Sequence, residues 1–539
     1  MLVSSLAALS VALGLLAAPS ADQAPAQIRH LSLLGYSEAP APSPDGARLA
    51  FVTTLFGSPQ IAVMALDGSF PQQLTDEPGG MVGLRYSPVD PHLIVAIARR
   101  ADRLRLLFVS DQVAGVTEVD PAPGDQLLGG FSRDGKKLFY ANLEGGHATL
   151  RLLALDTRKP TDIVAPANPT PTPPGATPPT ANLPLAEATQ GLIALGPISS
   201  DGRSALFQVQ RQRDESIYSL DLATARAELI TPHDRPARFR LPRFSPDGRT
   251  VYLLTDAGRA TLGVEAVMVA NKARKIVLAG TREVDGYALS EDGHRLVAAQ
   301  DADGETILSL LELPSLRPQP MPLPPGGALQ PAPPGESPIV WTRAGDRLLF
   351  AWRLAADTTD LWTIRLGYGV PSRLTHSPHP GIALEQLARP EPVQLAAEGG
   401  ELGAWLWRPA QGEKPRLAIL VQKRMRPVLD RSALALVASG FAVLGLSTRG
   451  QNPEPALQAA LRYLGSAAGQ GDLDPRAPLL LVLAESGSNL SIEKPQRFSG
   501  VVSLGEEIKV VGVPLLDLHG RPTDLADLTR FAREQLKKP

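Results

Sequence analysis

The sequence predicts a seven-bladed β-propeller followed by a smaller domain of alternating strands and helices, and three observations carry that expectation. A Ser-x-Asp-Gly phrase recurs down the first part of the chain at near-constant spacing. Each copy precedes a short run of β-branched, aromatic or aliphatic residues, the signature of a half-buried strand. After Gly381 the repeat stops, and buried-looking strand runs alternate with amphipathic helical ones.

The repeat comes first. "SPDG" at Ser43, "SRDG" at Ser132, "SSDG" at Ser199, "SPDG" at Ser245 and "SEDG" at Ser290 lead into "ARLAFV", "KKLFYA", "RSALFQV", "RTVYLL" and "HRLVAA". Weaker copies, "SPVDPHLIVAIA" from Ser87 and "TRAGDRLLFAW" from Thr342, bring the total to seven. The spacing is about 45 residues, apart from two longer intervals that each contain a proline-rich insertion, and that is within the range of propeller blades. Asp-Gly supplies the backbone conformations of a tight hairpin, and phrases such as "IAVMALDG" and "LWTIRLG" supply a partner strand. A lone four-stranded sheet cannot bury both faces, whereas seven packed radially can, so a propeller is expected over residues 31–380. A β-sandwich is the alternative, but it does not demand a fixed period. "SPDGARLAF" and "LDGSFPQQLTDEP" resemble the propeller repeats of the TolB protein and of the prolyl oligopeptidase family of serine peptidases. Two insertions, residues 166–184 and 314–338, are too rich in proline for sheet and read as extended surface loops, either solvated or partner-binding.

Residues 390–539 form the second expected domain. "ELGAWLWRP" and "ALALVASGFAVLGLSTRG" resemble the entry to the peptidase domain of that same family, and the strand–helix alternation implies a parallel sheet covered on both faces, an α/β-hydrolase arrangement. At roughly 150 residues it is shorter than the resemblance implies for a full peptidase domain.

The resemblance also implies a catalytic set, which can be checked position by position. An α/β-hydrolase needs a nucleophile on a strained strand-to-helix turn, an oxyanion hole, and an acid followed by a histidine. Ser486, in "LLLVLAESGS", stands at the nucleophile position, although both outer glycines of Gly-x-Ser-x-Gly are replaced, by Ala484 and Ser488. Where the family carries a Gly-rich oxyanion phrase this chain has "QKRMRP", placing Gln422, Lys423 and Arg424 where glycine normally lets the backbone approach the substrate. Asp524, in "HGRPTD", matches the position of the acid. No histidine follows it in the sequence, and His519 precedes it, so His519 is a base only by a non-standard arrangement. Ser486 and Asp524 therefore read as vestigial.

Composition limits the remaining classes. With 53 basic and 55 acidic residues the net charge is -2, which gives no electrostatic footprint for nucleic acid. There is no cysteine, hence no disulfide or thiolate metal site. "HSPH" at His376 to His379 lacks the further ligands of a metal centre, and no phosphate-binding glycine loop or other cofactor motif occurs, so no cofactor is expected. Residues 1–21 are uncharged up to Ala18 and carry the apolar core "LAALSVALGLLAA" before "APSA", as a cleaved signal peptide does, with an uncleaved anchor as the alternative. No later segment is apolar enough to span a membrane. The expectation is thus a periplasmic or secreted, catalytically inactive protein that binds peptide, protein or an envelope component. The alternative is an active peptidase or esterase with an altered triad.

Overall fold

The computed structural model describes residues 24–536 apart from 114, 165–181, 368, 398–399, 411–413, 449–452, 467–472, 475, 485–497, 505–514 and 518–524. The chain divides into two compact units. One comprises Leu34–His379 together with 426–429, and the other comprises the N-terminal segment to Leu33, Pro380–Met425 and the chain from Asp430.

The first unit is a propeller of seven antiparallel sheets, each made from one continuous stretch of sequence: 37–73, 81–118, 125–162, 182–229, 239–278, 284–320 and 327–373. The Ser-x-Asp-Gly phrase is the turn between the first and second strand of a blade. In the first copy the Ser43 hydroxyl donates to Asp45 and accepts the Arg48 amide at 2.9 Å, while Asp45 also accepts the Ala47 amide. Gly46 closes the turn at φ +71°, a conformation that costs a side-chain-bearing residue about 1 kcal/mol or more. The same bonds recur at Ser132, Ser199, Ser245 and Ser290. Serine and aspartate therefore recur because each turn uses both side chains to satisfy backbone amides that no ladder reaches.

Neighbouring blades join through apolar layers. Leu206 and Ile217 of the fourth blade pack with Phe239, Val251 and Leu253 of the fifth, all essentially buried. Blades seven and one share no strand. Their seam is Leu49, Phe51 and Met64 against Leu349 and Leu361, supplemented by the Gly35 amide donating to Pro378 O at 2.7 Å. Residues 426–429 belong to this unit, where Arg426, 4% exposed, is held by Asp285 and lies 3.8 Å from Asp301.

The proline-rich insertions need correction. Residues 314–338 are not simply a surface loop. Pro318–Pro320 is the exposed edge strand of blade six, where proline is tolerated because one side of the strand needs no ladder donor, and Gly327–Leu329 begins the inner strand of blade seven. In the earlier insertion, Asn182–Leu183 adds a fifth strand at the outer edge of blade four, and 165–181 lie outside the described residues.

The second unit holds a seven-stranded sheet: β1 Glu391–Ala397, β2 Gly400–Trp407, β3 Arg416–Gln422, β4 Phe441–Ser447, β5 Leu479–Leu483, β6 Phe498–Ser503 and β7 Leu515–Asp517. The spatial order is β1-β2-β4-β3-β5-β6-β7, and the pairings from β4 to β7 are parallel. All five residues of β5 are buried, as a strand covered on both faces requires. Among the described residues four helices serve the sheet: α1 Ala24–Ser32, α2 Arg431–Ala438, α3 Glu454–Gly465 and α4 Leu525–Leu536. Leu457, Ala460 and Leu464 of α3 cover the sheet face formed by Leu417, Ile419, Leu481 and Val501. On the opposite face Gly500 lies under Phe531 of α4, so close that a Cβ there would sit 2.8 Å from the ring. Helix α4 packs beside α2, and α1 packs against both, so a segment preceding the propeller completes this unit.

Candidate functional site

In a sheet of this kind the reactive groups belong at the carboxyl ends of the parallel strands. Strands β3, β5, β6 and β7 all end at one edge. At the end of β5 the Ala484 amide donates to Val421 O at 3.0 Å, which ties the start of the expected nucleophile turn to β3. Ser486, Asp524 and His519 lie outside the described residues. The frame that would present them is described: β5 sits between β3 and β6, and β7 ends at Asp517 seven residues before Asp524.

Gln422 is the last residue of β3, and Lys423 and Arg424 follow it at this same edge. Their loop is committed to internal bonds. Gln422 Nε2 donates to Asp430 Oδ2 at 2.9 Å, and the other oxygen of Asp430 caps α2 by accepting the Ala433 amide at 2.9 Å. The Gln422 carbonyl accepts the Thr448 amide, and the Met425 amide donates to Ser447 Oγ at 2.8 Å. Met425 is buried on β4, where it fills the space a side chain at Gly445 would take, its Cε being 2.6 Å from such a Cβ. An oxyanion hole needs amides directed at substrate and a bare backbone beside them. Here the Met425 amide is bonded to Ser447, the Met425 side chain packs over Gly445, and Lys423 is exposed.

The face occupied by α4 bears on the histidine. The crossover from β4 to β5 moves toward the β7 edge and runs through α3 on the Val501 face. A right-handed crossover onward from β7 would use that same face. Helix α4, which begins eight residues after Asp517, lies instead on the Gly500 face beside α2. It is not placed to carry the chain from β7 to a further parallel strand beyond it.

The propeller holds a second candidate. Residues from the inner strands of all seven blades line one central cavity of about 980 Å³. Inside it Arg85 Nη2 donates to Glu336 Oε1 at 2.5 Å and Arg85 Nη1 to Gly129 O at 2.8 Å. Arg243 Nη2 donates to Gly335 O at 2.9 Å and stands 4.0 Å from Glu336 Oε2. Burial, opposed by Glu336 and reinforced by Arg85, holds the Arg243 guanidinium below the usual arginine range. Burial likewise raises the Glu38 carboxyl above its ordinary value, against the Gln330 amide that donates to it at 2.9 Å. Sequence reasoning missed this cluster. Arg85 and Glu336 are 251 residues apart and the cluster carries no shared motif, and Glu336 lay in a segment read as a surface loop. Among the described residues no group of three or more histidine, aspartate or glutamate side chains is arranged to hold a metal ion, and no helix is long and apolar enough to cross a membrane.

No family model and no curated protein matches the chain. Solved structures do. A prolyl endopeptidase, from a study of inter-domain dynamics in catalysis and specificity, aligns with a TM-score of 0.67 at 15% identity, covering 90% of this chain and 74% of its own. A puromycin-hydrolysing peptidase of Mycobacterium tuberculosis aligns at 0.64 and 14% identity, covering 87% and 77%, and a puromycin hydrolase at 0.67 and 13%, covering 88% and 78%. The chain has the fold of these peptidases. It combines a seven-bladed propeller with an α/β-hydrolase sheet, as the repeat and the strand–helix alternation led one to expect.

Proposed function

We propose that this protein is an exported relative of the prolyl oligopeptidase family that does not hydrolyse its ligands and acts by binding peptide or protein. The observation that carries this reading is the loop after β3. Its Gln422 supports the Asp430 cap, its Met425 amide is bonded to Ser447, and the Met425 side chain fills the space above Gly445. Using the Met425 amide in an oxyanion hole would require breaking its bond to Ser447, and loss of one oxyanion donor alone costs about 10²–10³ in turnover. The placement of α4 on the Gly500 face and the absence of a histidine from Asp524 through that helix support the same conclusion. Export rests on the uncharged apolar run Leu6 to Ala18.

The test is a serine-directed fluorophosphonate applied to the purified protein. We expect no labelling at Ser486, and stoichiometric labelling there overturns the proposal. The second reading, an active peptidase or esterase with an altered triad, draws on the intact strand frame around β5. It requires hydrolysis of short peptides or esters that disappears in Ser486→Ala.

A further inference from the structure

The inner strand of blade seven is built unlike the other six. Gly327–Leu329 pairs with the second strand down to Trp352, and pairing resumes at Ile339 opposite Phe350. Residues 330–338 therefore stand against Ala351 alone, whereas the inner strands of the other blades carry bulges of a single residue. A bulge re-aims the chain toward the side on which it opens, and this one enters the central cavity.

The excursion, Pro331-Ala-Pro-Pro-Gly-Glu-Ser-Pro338, makes contacts across the channel that resemble those of a bound peptide. Glu336 reaches Arg85 of blade two, and Gly335 O accepts from Arg243 of blade five. The Ser337 hydroxyl donates to Tyr287 O of blade six at 2.7 Å, and the Pro338 ring lies where a Cβ on Gly286 would stand. Gly335 has φ +81°, and a Cβ on it would lie 2.9 Å from Ala194 of blade four, so the segment fits only with glycine here. The Glu336 amide donates to Pro333 O at 3.0 Å, closing a tight turn over Pro334-Gly335, and proline followed by glycine presets such a turn and lowers its ordering cost.

The charges do not balance within the cluster. Two guanidinium groups face one carboxylate, Arg85 by a short charge-assisted bond and Arg243 only at 4.0 Å, and both line the cavity at 28% and 24% exposure. A second carboxylate oxygen directed at Arg243 would be better paired than Glu336 now is. We propose that the Arg85–Arg243 pair is a binding site for a peptide carboxylate, occupied here by the protein's own Glu336, and that the channel takes an acidic, proline-containing peptide segment in its place. This assigns a site and a ligand class to the peptide-binding reading above and rests on it for the choice of a peptide. It does not depend on whether Ser486 reacts.

The experiment uses the full chain and a fluorescently labelled, end-blocked peptide Pro-Pro-Gly-Glu-Ser-Pro, with anisotropy as the readout. A tethered loop competes at an effective concentration of order millimolar. Glu336→Gln is therefore expected to tighten binding about tenfold or more over the unsubstituted protein. Gly335→Val, which expels the loop by a different route while keeping Glu336, should do the same. Arg85→Ala or Arg243→Ala placed on Glu336→Gln should abolish the gain, as should changing the peptide's Glu to Gln. Pro-Pro-Gly with a free carboxyl terminus separates a terminal from a side-chain carboxylate as the preferred source. Equal binding of the Glu and Gln peptides, or no gain in either loop variant that retains the folded circular dichroism spectrum, overturns the proposal. Fluorophosphonate labelling of Ser486 alongside carboxylate-dependent binding would overturn the inactive-enzyme reading and leave this one standing.

Discussion

Asp360 shows how a single buried charge is made acceptable. It is fully buried in blade seven and accepts from Thr358 Oγ1, Thr375 Oγ1, the Ser377 amide, Ser377 Oγ and Arg373 Nη2, at 2.5–2.9 Å. Ser377 in turn meets Ser37 of blade one at 3.1 Å, so the carboxylate organises the closing seam. Asp360→Ala strips one acceptor from five donors and leaves Arg373 with Asp357 alone among these carboxylates. It should cost about 3–5 kcal/mol, read as a lowered thermal midpoint. Asp430 makes a smaller version of the same argument. Asp430→Ala removes the cap of α2 and the partner of Gln422, and should cost about 1–2 kcal/mol in denaturant titration.

At the scale of the element, the Ser-x-Asp-Gly turns share an acid response. Asp45, Asp134, Asp201, Asp247 and Asp292 are each held below the ordinary value of 3.8, first by the serine hydroxyl and then by a backbone amide. A carboxyl group whose folded value is depressed stabilises the fold above its unfolded value. That stabilisation is lost as pH falls through the folded value. The carboxylates are near solvent, which keeps each contribution small. Asp134→Asn should therefore lower the midpoint of denaturant unfolding slightly at neutral pH, and the gap from the unsubstituted protein should close as pH drops below about 3.8. A gap that widens with acid would show that the turn does not work this way. The turns were legible in the sequence because each is local, with every partner within five residues. The proline-rich stretch 314–338 was not, because whether proline sits in a loop or on an edge strand depends on which side of the strand faces a neighbour, and that neighbour is supplied by the rest of blade six.

At the scale of the molecule, the propeller closes without exchanging a strand between its first and last blades, so side-chain packing at that seam carries much of the closure beside a few hydrogen bonds such as Gly35 N to Pro378 O. Phe51 is fully buried there, and Phe51→Ala should cost about 3–5 kcal/mol. Hydrogen exchange should rise first along Arg48–Thr53 and Thr359–Arg365, the strands that carry Phe51 and Leu361 of that seam. An interior seam such as Leu206 against Phe239 has the same chemistry, but the chain runs on directly from one blade into the next.

By itself the sequence determined the period, the blade count, the turn chemistry and the strand–helix alternation of the second unit. All of these are written in local patterns of apolar residues and hydrogen-bonding side chains. Only the tertiary structure decided that the N-terminal helix completes the second unit, that α4 packs on the α2 face, that the loop after β3 is locked by Asp430 and Ser447, and that Glu336 lies between Arg85 and Arg243. The reason is physical. Repeating turns are satisfied within a few residues, whereas buried charges and loop side chains are paired by whatever the folded chain brings beside them, 251 residues away in the case of Arg85 and Glu336.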